Sequence, residues 1–195
     1  MIALVVALFA EIYYRSWLTF AITFVALLLT FIPEIVEKKY KIDIPEGFEI
    51  WILVFIYLSL YLGEVQKFYH IFWWWDLMLH GFSAISVGLV GFIVIFYLQQ
   101  GNKVHAKPVL ICLFAFSFAV AAGTVWEVFE FGMDRFFGLT MQNGSLIDTM
   151  EDLIIDSVGA FIGALCGFVY LKNKDSRWAF AIRSFINLNS LLFKK

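Results

Sequence analysis

The sequence predicts an all-α polytopic transmembrane helix bundle, with five clear spans and an amphipathic C-terminal helix, and it leaves an N-terminal partial span open. Of its 195 residues, 62% are hydrophobic and only 15% are charged, and the mean hydropathy is +0.85. Soluble domains have about 25% charged residues. Five apolar runs approach the roughly 20 residues that a membrane-spanning helix needs. These runs lack the alternation of barrel strands, so helices are the structure that satisfies the backbone in lipid.

The runs define the predicted spans and leave one terminal segment undecided. They are Ser16–Ile32, Phe48–Leu62, Phe72–Leu98, Val109–Phe131 and Leu146–Leu171. The first is expected to end at Pro33, which precedes a charged segment. Met1–Ala10 is apolar but too short to cross alone, so it forms either a half-span or one long tilted helix with the next run. The first residues lack a basic region and a clear cleavage site, which favours a retained segment over a signal peptide.

The distribution of Lys and Arg predicts the orientation of the chain. If all five runs cross, one side of the membrane carries eleven of the 14 basic residues and the other carries three. The first group is Lys38, Lys39, Lys41, Lys103, Lys107, Lys172, Lys174, Arg177, Arg183, Lys194 and Lys195, and the second is Arg15, Lys67 and Arg135. The Lys-rich side should be cytoplasmic. We therefore expect a transmembrane domain over residues 1–171 and a cytoplasmic interfacial tail over residues 172–195, which mixes aromatic and aliphatic residues with Arg and Lys.

Acidic residues gather at the opposite, Lys-poor ends of the spans. They are Glu64 at the end of the second span, Asp76 with His80 at the start of the third, Glu127 and Glu130 at the end of the fourth, and Asp148, Asp152 and Asp156 at the start of the fifth. The three aspartates are four residues apart and share one helix stripe. The spacing and the topology together predict that these side chains converge in one pocket below the external surface.

A divalent metal ion is the predicted partner of this pocket. A carboxylate in the hydrocarbon region costs about 2.5–3.5 kcal/mol on insertion scales, so several must be neutralised by a cation or by protonation. Histidine with carboxylates is a common ligand set for zinc, manganese or iron. The predicted ligands are His80, Glu127, Asp152 and Asp156, with Asp148 or Glu130 completing the set.

Four of the acidic residues also have predicted roles other than direct metal ligation. Glu130, if it is not a ligand, could act as the catalytic base that removes a proton from metal-bound water. Asp76 and Glu64 could orient the His80 ring as outer carboxylates. Asp148 has an alternative role as a helix N-cap, because Glu151 follows it at capping-box spacing.

Three functions remain open at this point. The first is metal binding, with hydrolysis or modification of a lipid or cell-envelope substrate. The second is cation or proton transport through the same acids, and the third is a structural polar core without catalysis. Membrane lipid is the expected partner, a homo-oligomer stays open, and the net charge of −2 gives no indication of nucleic-acid binding. The stripe Gly159, Gly163 and Gly167 predicts close approach to another helix.

Three motifs, in this order, resemble a known family. They are "WWWDLMLHGFSAISVGLVGF", "WEVFEFGMD" and "DTMEDLIIDSVGAFIGAL", and they are similar to those of the YjdF-type inner-membrane proteins of bacteria and archaea. The likeness covers about residues 16–171, and the last motif is also distantly similar to VanZ-like proteins. The resemblance implies an inner-membrane location. It marks Trp75, Asp76, His80, Glu127, Glu130, Asp148, Asp152 and Asp156 as a shared polar set, but it implies no substrate.

Overall fold

The computed structural model describes residues 1–142 and 145–193, and within these ranges the chain is helical and contains no strand. Five helical segments are long and apolar enough to cross a membrane, as the sequence predicts. They are Trp17–Tyr40, Glu46–Val65, Trp75–Gln100, Pro108–Phe137 and Leu146–Lys172. The chain divides into two compact units, Met1–Asp76 and Leu77–Lys195.

The first unit consists of short helices, several of which join into spans. Its elements are α1 (Ile2–Tyr13), α2 (Trp17–Leu29), α3 (Ile32–Tyr40), α4 (Glu46–Ile56), a π-helix (Tyr57–Val65) and α5 (Phe68–Ile71). The N-terminal segment is a separate helix, because the chain turns between α1 and α2 at Arg15, whose φ is 55°. Its 12 residues extend about 18 Å, less than the roughly 30 Å of a bilayer core. α1 is therefore too short to cross a membrane alone, and it packs on α2.

Two predicted boundaries were wrong, and each error has a physical cause. Pro33 does not end the first span but lies in the first turn of α3, where a helix needs no N–H donor. The fourth span continues past Phe131 to Phe137 and ends at Gly138, which has the left-handed φ of 68° common after a helix C-terminus. Asp134 and Arg135 consequently lie on the helix and not in a loop.

The second unit contains three long helices and the C-terminal segment. Its elements are α6 (Trp75–Gln100, which begins two residues before the boundary), α7 (Pro108–Phe137), α8 (Leu146–Lys172), a 3-10 helix (Arg177–Ala179), α9 (Phe180–Leu188) and α10 (Ser190–Phe193). α7 packs along α8. The buried apolar core includes Phe92 of α6, Ile111 and Ala115 of α7, and Tyr170 of α8.

The glycine stripe of α8 packs against α6, which confirms the predicted close approach. A methyl group added at Gly163 would lie 2.6 Å from the carbonyl oxygen of Ile85, and one at Gly159 would lie 2.5 Å from that of Gly81. Real Cβ atoms do not approach backbone oxygen this closely, so only glycine fits at these positions. This contact aligns the acidic end of α8 with the end of α6 that carries His80.

The C-terminal helix is present, and one face of it belongs to the core. Ala179 and Ile182 are fully buried in the same cluster as Phe92 and Tyr170, while Trp178 remains exposed. Burial of a large aliphatic side chain such as Ile182 contributes about 1.5–3 kcal/mol of transfer free energy. The tail therefore adds apolar packing to the second unit.

Candidate metal centre

Five ionisable side chains meet where α6, α7 and α8 come together. They are His80 of α6, Glu127 and Glu130 of α7, and Asp152 and Asp156 of α8, and none is more than 7% exposed. The two glutamates of α7 are three residues apart and the two aspartates of α8 are four apart, so each pair occupies one face of its helix. No Lys or Arg side chain among residues 1–142 and 145–193 is buried. The cluster is therefore rich in carboxylates and enclosed.

The imidazole of His80 lies between two carboxylates from different helices. Its Nδ1 atom is 3.3 Å from Asp156 Oδ1, and its Nε2 atom is 3.9 Å from Glu127 Oε1. An imidazole that ligates a metal through one nitrogen usually donates its other N–H to a carboxylate, which fixes the ring orientation. The geometry thus matches a histidine that is oriented by Asp156 and presents Nε2 toward Glu127.

Glu130 completes a group of three potential ligands. Single donor atoms of His80, Glu127 and Glu130 all lie within 4.8 Å of one another. Donors bound at about 2.0–2.2 Å to a tetrahedral ion lie about 3.4 Å apart. Side-chain rotations that move the donor atoms by about 1 Å would bring all three to this separation. The indole Nε1 of Trp126 donates a hydrogen bond of 2.9 Å to Glu130 Oε1. This bond restricts the orientation of the carboxylate.

Asp152 approaches the same histidine from α8. One of its carboxylate oxygens lies within 4.8 Å of a ring nitrogen of His80. It precedes Asp156 by one turn and is as deeply buried. The structure therefore brings His80, Glu127, Asp152 and Asp156 together, and Glu130 joins them with a donor atom within 4.8 Å of those of His80 and Glu127.

Gly123 provides the space that the Asp156 carboxylate occupies. A Cβ atom at Gly123 would overlap Asp156 Oδ2, and it would lie only 2.9 Å from the carboxyl carbon. Because Gly123 precedes Glu127 by four residues, it lies on the same face of α7 one turn away. The α7 surface is thus shaped so that Asp156 can lie beside His80.

The connection between α7 and α8 also supports the site. Gln142 Nε2 donates to Thr149 Oγ1 at 2.9 Å and to the backbone oxygen of Glu127 at 3.3 Å. Asp134 accepts hydrogen bonds from the backbone N–H groups of Met141, at 2.6 Å, and of Gln142, at 3.0 Å. Asp134 therefore orders the loop, and Gln142 links the Glu127 turn to α8.

The other predicted site residues are Asp148, Glu64 and Asp76. Asp148 is half-buried in the first turn of α8, and its predicted N-cap role was wrong, because Ser145 is the N-cap and its hydroxyl accepts from the N–H of Ile147 at 3.1 Å. Glu64 lies in the π-helix and Asp76 in the first turn of α6. Both are half-buried residues of the first unit. Their predicted role in orienting the His80 ring stays a prediction.

Two residues that form polar contacts in the structure, one beside the site and one in the first unit, have no clear signal in the sequence. Gln142 lies in a loop, where a polar residue is ordinary. Glu11 is buried in the first unit, and its Oε1 accepts a hydrogen bond of 2.8 Å from Thr23 Oγ1. The only trace of this pair in the sequence is an acidic residue directly after the apolar segment Met1–Ala10.

Comparison with known proteins places the chain in a family. Residues 1–173 match the family described as "Predicted membrane protein (DUF2238)". A Thermotoga maritima protein, described as an uncharacterized protein, is 27% identical over 154 residues, which cover 79% of this chain and 77% of that protein. No solved structure matches the chain. The predicted resemblance is confirmed, and the chain belongs to this YjdF-type family of membrane proteins.

Proposed function

We propose that this protein binds a divalent metal ion through His80, Glu127 and Glu130, with Asp156 orienting the histidine. The observation that carries the proposal is the approach of three buried donor atoms from two helices to within 4.8 Å of one another. His80 also has a carboxylate 3.3 Å from its other nitrogen. This arrangement is the one usually found around metal-bound histidines.

The charge of the cluster supports a bound cation. Four carboxylates and one imidazole are buried together, and every Lys and Arg of the described chain remains at least partly exposed. Burial of several carboxylates in one place is costly when they are ionised, and a divalent ion neutralises two of them at once. A metal also explains why the two glutamates face one histidine, because ligands must converge on one point.

The donor types narrow the choice of metal. A set of one imidazole and two carboxylates suits zinc, manganese or iron, and it has no sulfur ligand that would favour copper(I). Three protein ligands leave a coordination position for water or substrate. A metal in such a position lowers the pKa of bound water and makes it a nucleophile. Asp152, which also approaches His80, is the carboxylate available to accept a proton when Glu130 is a ligand.

The location of the site favours a lipid or cell-envelope substrate. The ligands lie at the end of the spans that carries few basic residues, which the positive-inside rule assigns to the extracytoplasmic side of the inner membrane. A metal-activated water at this level faces head groups and envelope precursors. Hydrolysis of such a substrate is the reaction that the proposed centre supports best.

Elemental analysis of the purified full-length protein tests the metal. The protein would be supplied with zinc, manganese or iron in detergent, freed of unbound metal and analysed, together with Glu127→Gln, Glu130→Gln and the control Glu151→Gln. Glu151 is exposed and adjoins Asp152 in the sequence. We expect wild type and Glu151→Gln to retain stoichiometric metal and the two other variants to lose most of it. Absence of metal in wild type, or equal content in all four proteins, would refute the proposal.

A further inference from the structure

A cleft opens beside the candidate metal centre, between the end of α7 and the start of α8. Its volume is about 660 Å³, and Glu127 contributes to its wall. Glu127 is also one of the proposed metal ligands, so the cleft and the proposed metal site share this residue. Cavities of this size accept a small amphiphile or part of a lipid.

The lining of the cleft combines an apolar surface with one cation, Arg135, and two carboxylates, Glu127 and Asp134. Phe131, Leu146 and Leu153 supply apolar contacts, and Arg135 and Ser145 supply polar groups. A wall of this composition suits a molecule that has both a polar end and hydrocarbon.

Arg135 is the charged group that selects the occupant. It follows Glu127 by two turns and Phe131 by one on the same face of α7, and it is exposed. Because side chains on a helix tilt toward its N-terminus, an extended Arg135 side chain would reach in the direction of Glu127. Asp134, the other charged residue beside it, accepts two backbone hydrogen bonds from the loop. The guanidinium is thus available to an anion inside the cleft.

A phosphate group meets these requirements better than a carboxylate or a neutral head group does. Arginine binds phosphate through two parallel hydrogen bonds. A divalent metal at Glu127 would hold a second phosphate oxygen, as metals do in phosphoryl-transfer sites. Without a metal, the Glu127 carboxylate would repel an anion, so the two sites are coupled.

We propose that the cleft binds a membrane lipid with a phosphate head group, held between Arg135 and the metal ion, with its hydrocarbon along Phe131, Leu146 and Leu153. This inference rests on the proposed metal site and names the substrate class for it. The cleft opens among exposed apolar residues of α7 and α8, including Val128. A lipid can therefore enter it from the bilayer.

Binding of short-chain lipids to the purified full-length protein tests this inference. The probe is dioctanoylphosphatidic acid, compared with dioctanoylglycerol and with inorganic phosphate, each titrated against zinc-loaded and chelator-treated protein. Arg135→Gln is the test variant. Arg177→Gln is its matched control, because Arg177 is an exposed arginine that follows the opposite end of α8.

We expect the phosphatidic acid to bind zinc-loaded wild type and Arg177→Gln alike, and to bind Arg135→Gln about tenfold or more weakly. Chelation should weaken binding to wild type, and dioctanoylglycerol and inorganic phosphate should each bind far more weakly than the intact lipid. Equal binding of any comparison ligand, or no effect of Arg135→Gln, would overturn the inference. Protein that retains zinc but binds no phosphatidic acid contradicts only this inference, whereas protein without zinc contradicts the metal proposal. Binding that depends on Arg135 but not on zinc would overturn the inference that the phosphate is held between Arg135 and the metal ion.

Discussion

Gly123 of α7 lies directly against the carboxylate of Asp156 on α8, so a single glycine determines whether that carboxylate can reach His80. A methyl group at Gly123 would overlap Asp156 Oδ2. We expect Gly123→Ala to displace Asp156 and to weaken metal binding about 10–100-fold, the usual effect of losing an outer carboxylate on a ligating histidine. A metal titration monitored by competition with a chelating dye measures this change.

Gly132 offers a matched control for that substitution, because a methyl group added there meets no atom within 4 Å. Gly132→Ala should leave metal affinity unchanged. If both variants bind metal as wild type does, Asp156 has no role in orienting His80.

Metal should stabilise the folded protein, and His80 should be required for the effect. A ligand at 100 times its dissociation constant stabilises the folded state by about 2.7 kcal/mol, which raises Tm by several degrees. We expect zinc or manganese to raise the Tm of wild type in detergent and to have no effect on His80→Gln. The exposed histidines provide controls, because His70→Gln and His105→Gln should respond to metal as wild type does. A metal-induced rise in the Tm of His80→Gln equal to that of wild type would contradict the role of His80 as a ligand.

The glycine contact between α8 and α6 should be sensitive to one added methyl group. At Gly163 that group would lie 2.6 Å from the Ile85 carbonyl oxygen and 3.2 Å from Gly88 Cα, and backbone atoms cannot move away independently. Gly163→Ala should destabilise the protein by about 1–3 kcal/mol, the typical cost of overpacking. Thermal unfolding in detergent measures the change, and a Tm equal to that of Gly132→Ala would show that the helices separate freely.

The buried Glu11–Thr23 pair predicts a stability effect in the first unit. Thr23→Val keeps the shape of the side chain but removes the hydroxyl that donates to Glu11 Oε1. Leaving a buried acceptor without its donor costs about 1–3 kcal/mol. The control is Thr19→Val, because the Thr19 hydroxyl bonds to a backbone oxygen at an exposed position. Limited proteolysis and thermal unfolding should both separate the two variants, and identical behaviour would contradict the prediction.

The convergence of the candidate ligands follows from information that is local in the sequence. The 3.6-residue period places Glu127 with Glu130 and Asp152 with Asp156, and hydropathy with the positions of Lys and Arg places both pairs at one level of the membrane. The glycine stripe of α8 then indicates a close partner helix, which proves to be the helix of His80. These signals were enough to predict which helices meet and which side chains approach one another.

The details that the sequence did not reveal depend on contacts distant along the chain. Glu11 is buried because α1 folds back on α2, and Gln142 matters because a loop returns to Glu127. The first span continues past Pro33 because this proline lies in the first turn of a new helix. The residue type alone does not specify that position. The π-helix likewise has no pattern that distinguishes it from an α-helix of the same composition.

The docking of α9 affects where the second unit can be shortened. The match to the family ends at residue 173, yet Ala179 and Ile182 lie fully buried among core residues of the long helices. A chain cut at the edge of the family match would leave Phe92, Ile111 and Tyr170 without part of their apolar cover at that end. Expression vectors for this protein should therefore extend beyond the region that its relatives share, and a purification tag belongs after the last docked helix.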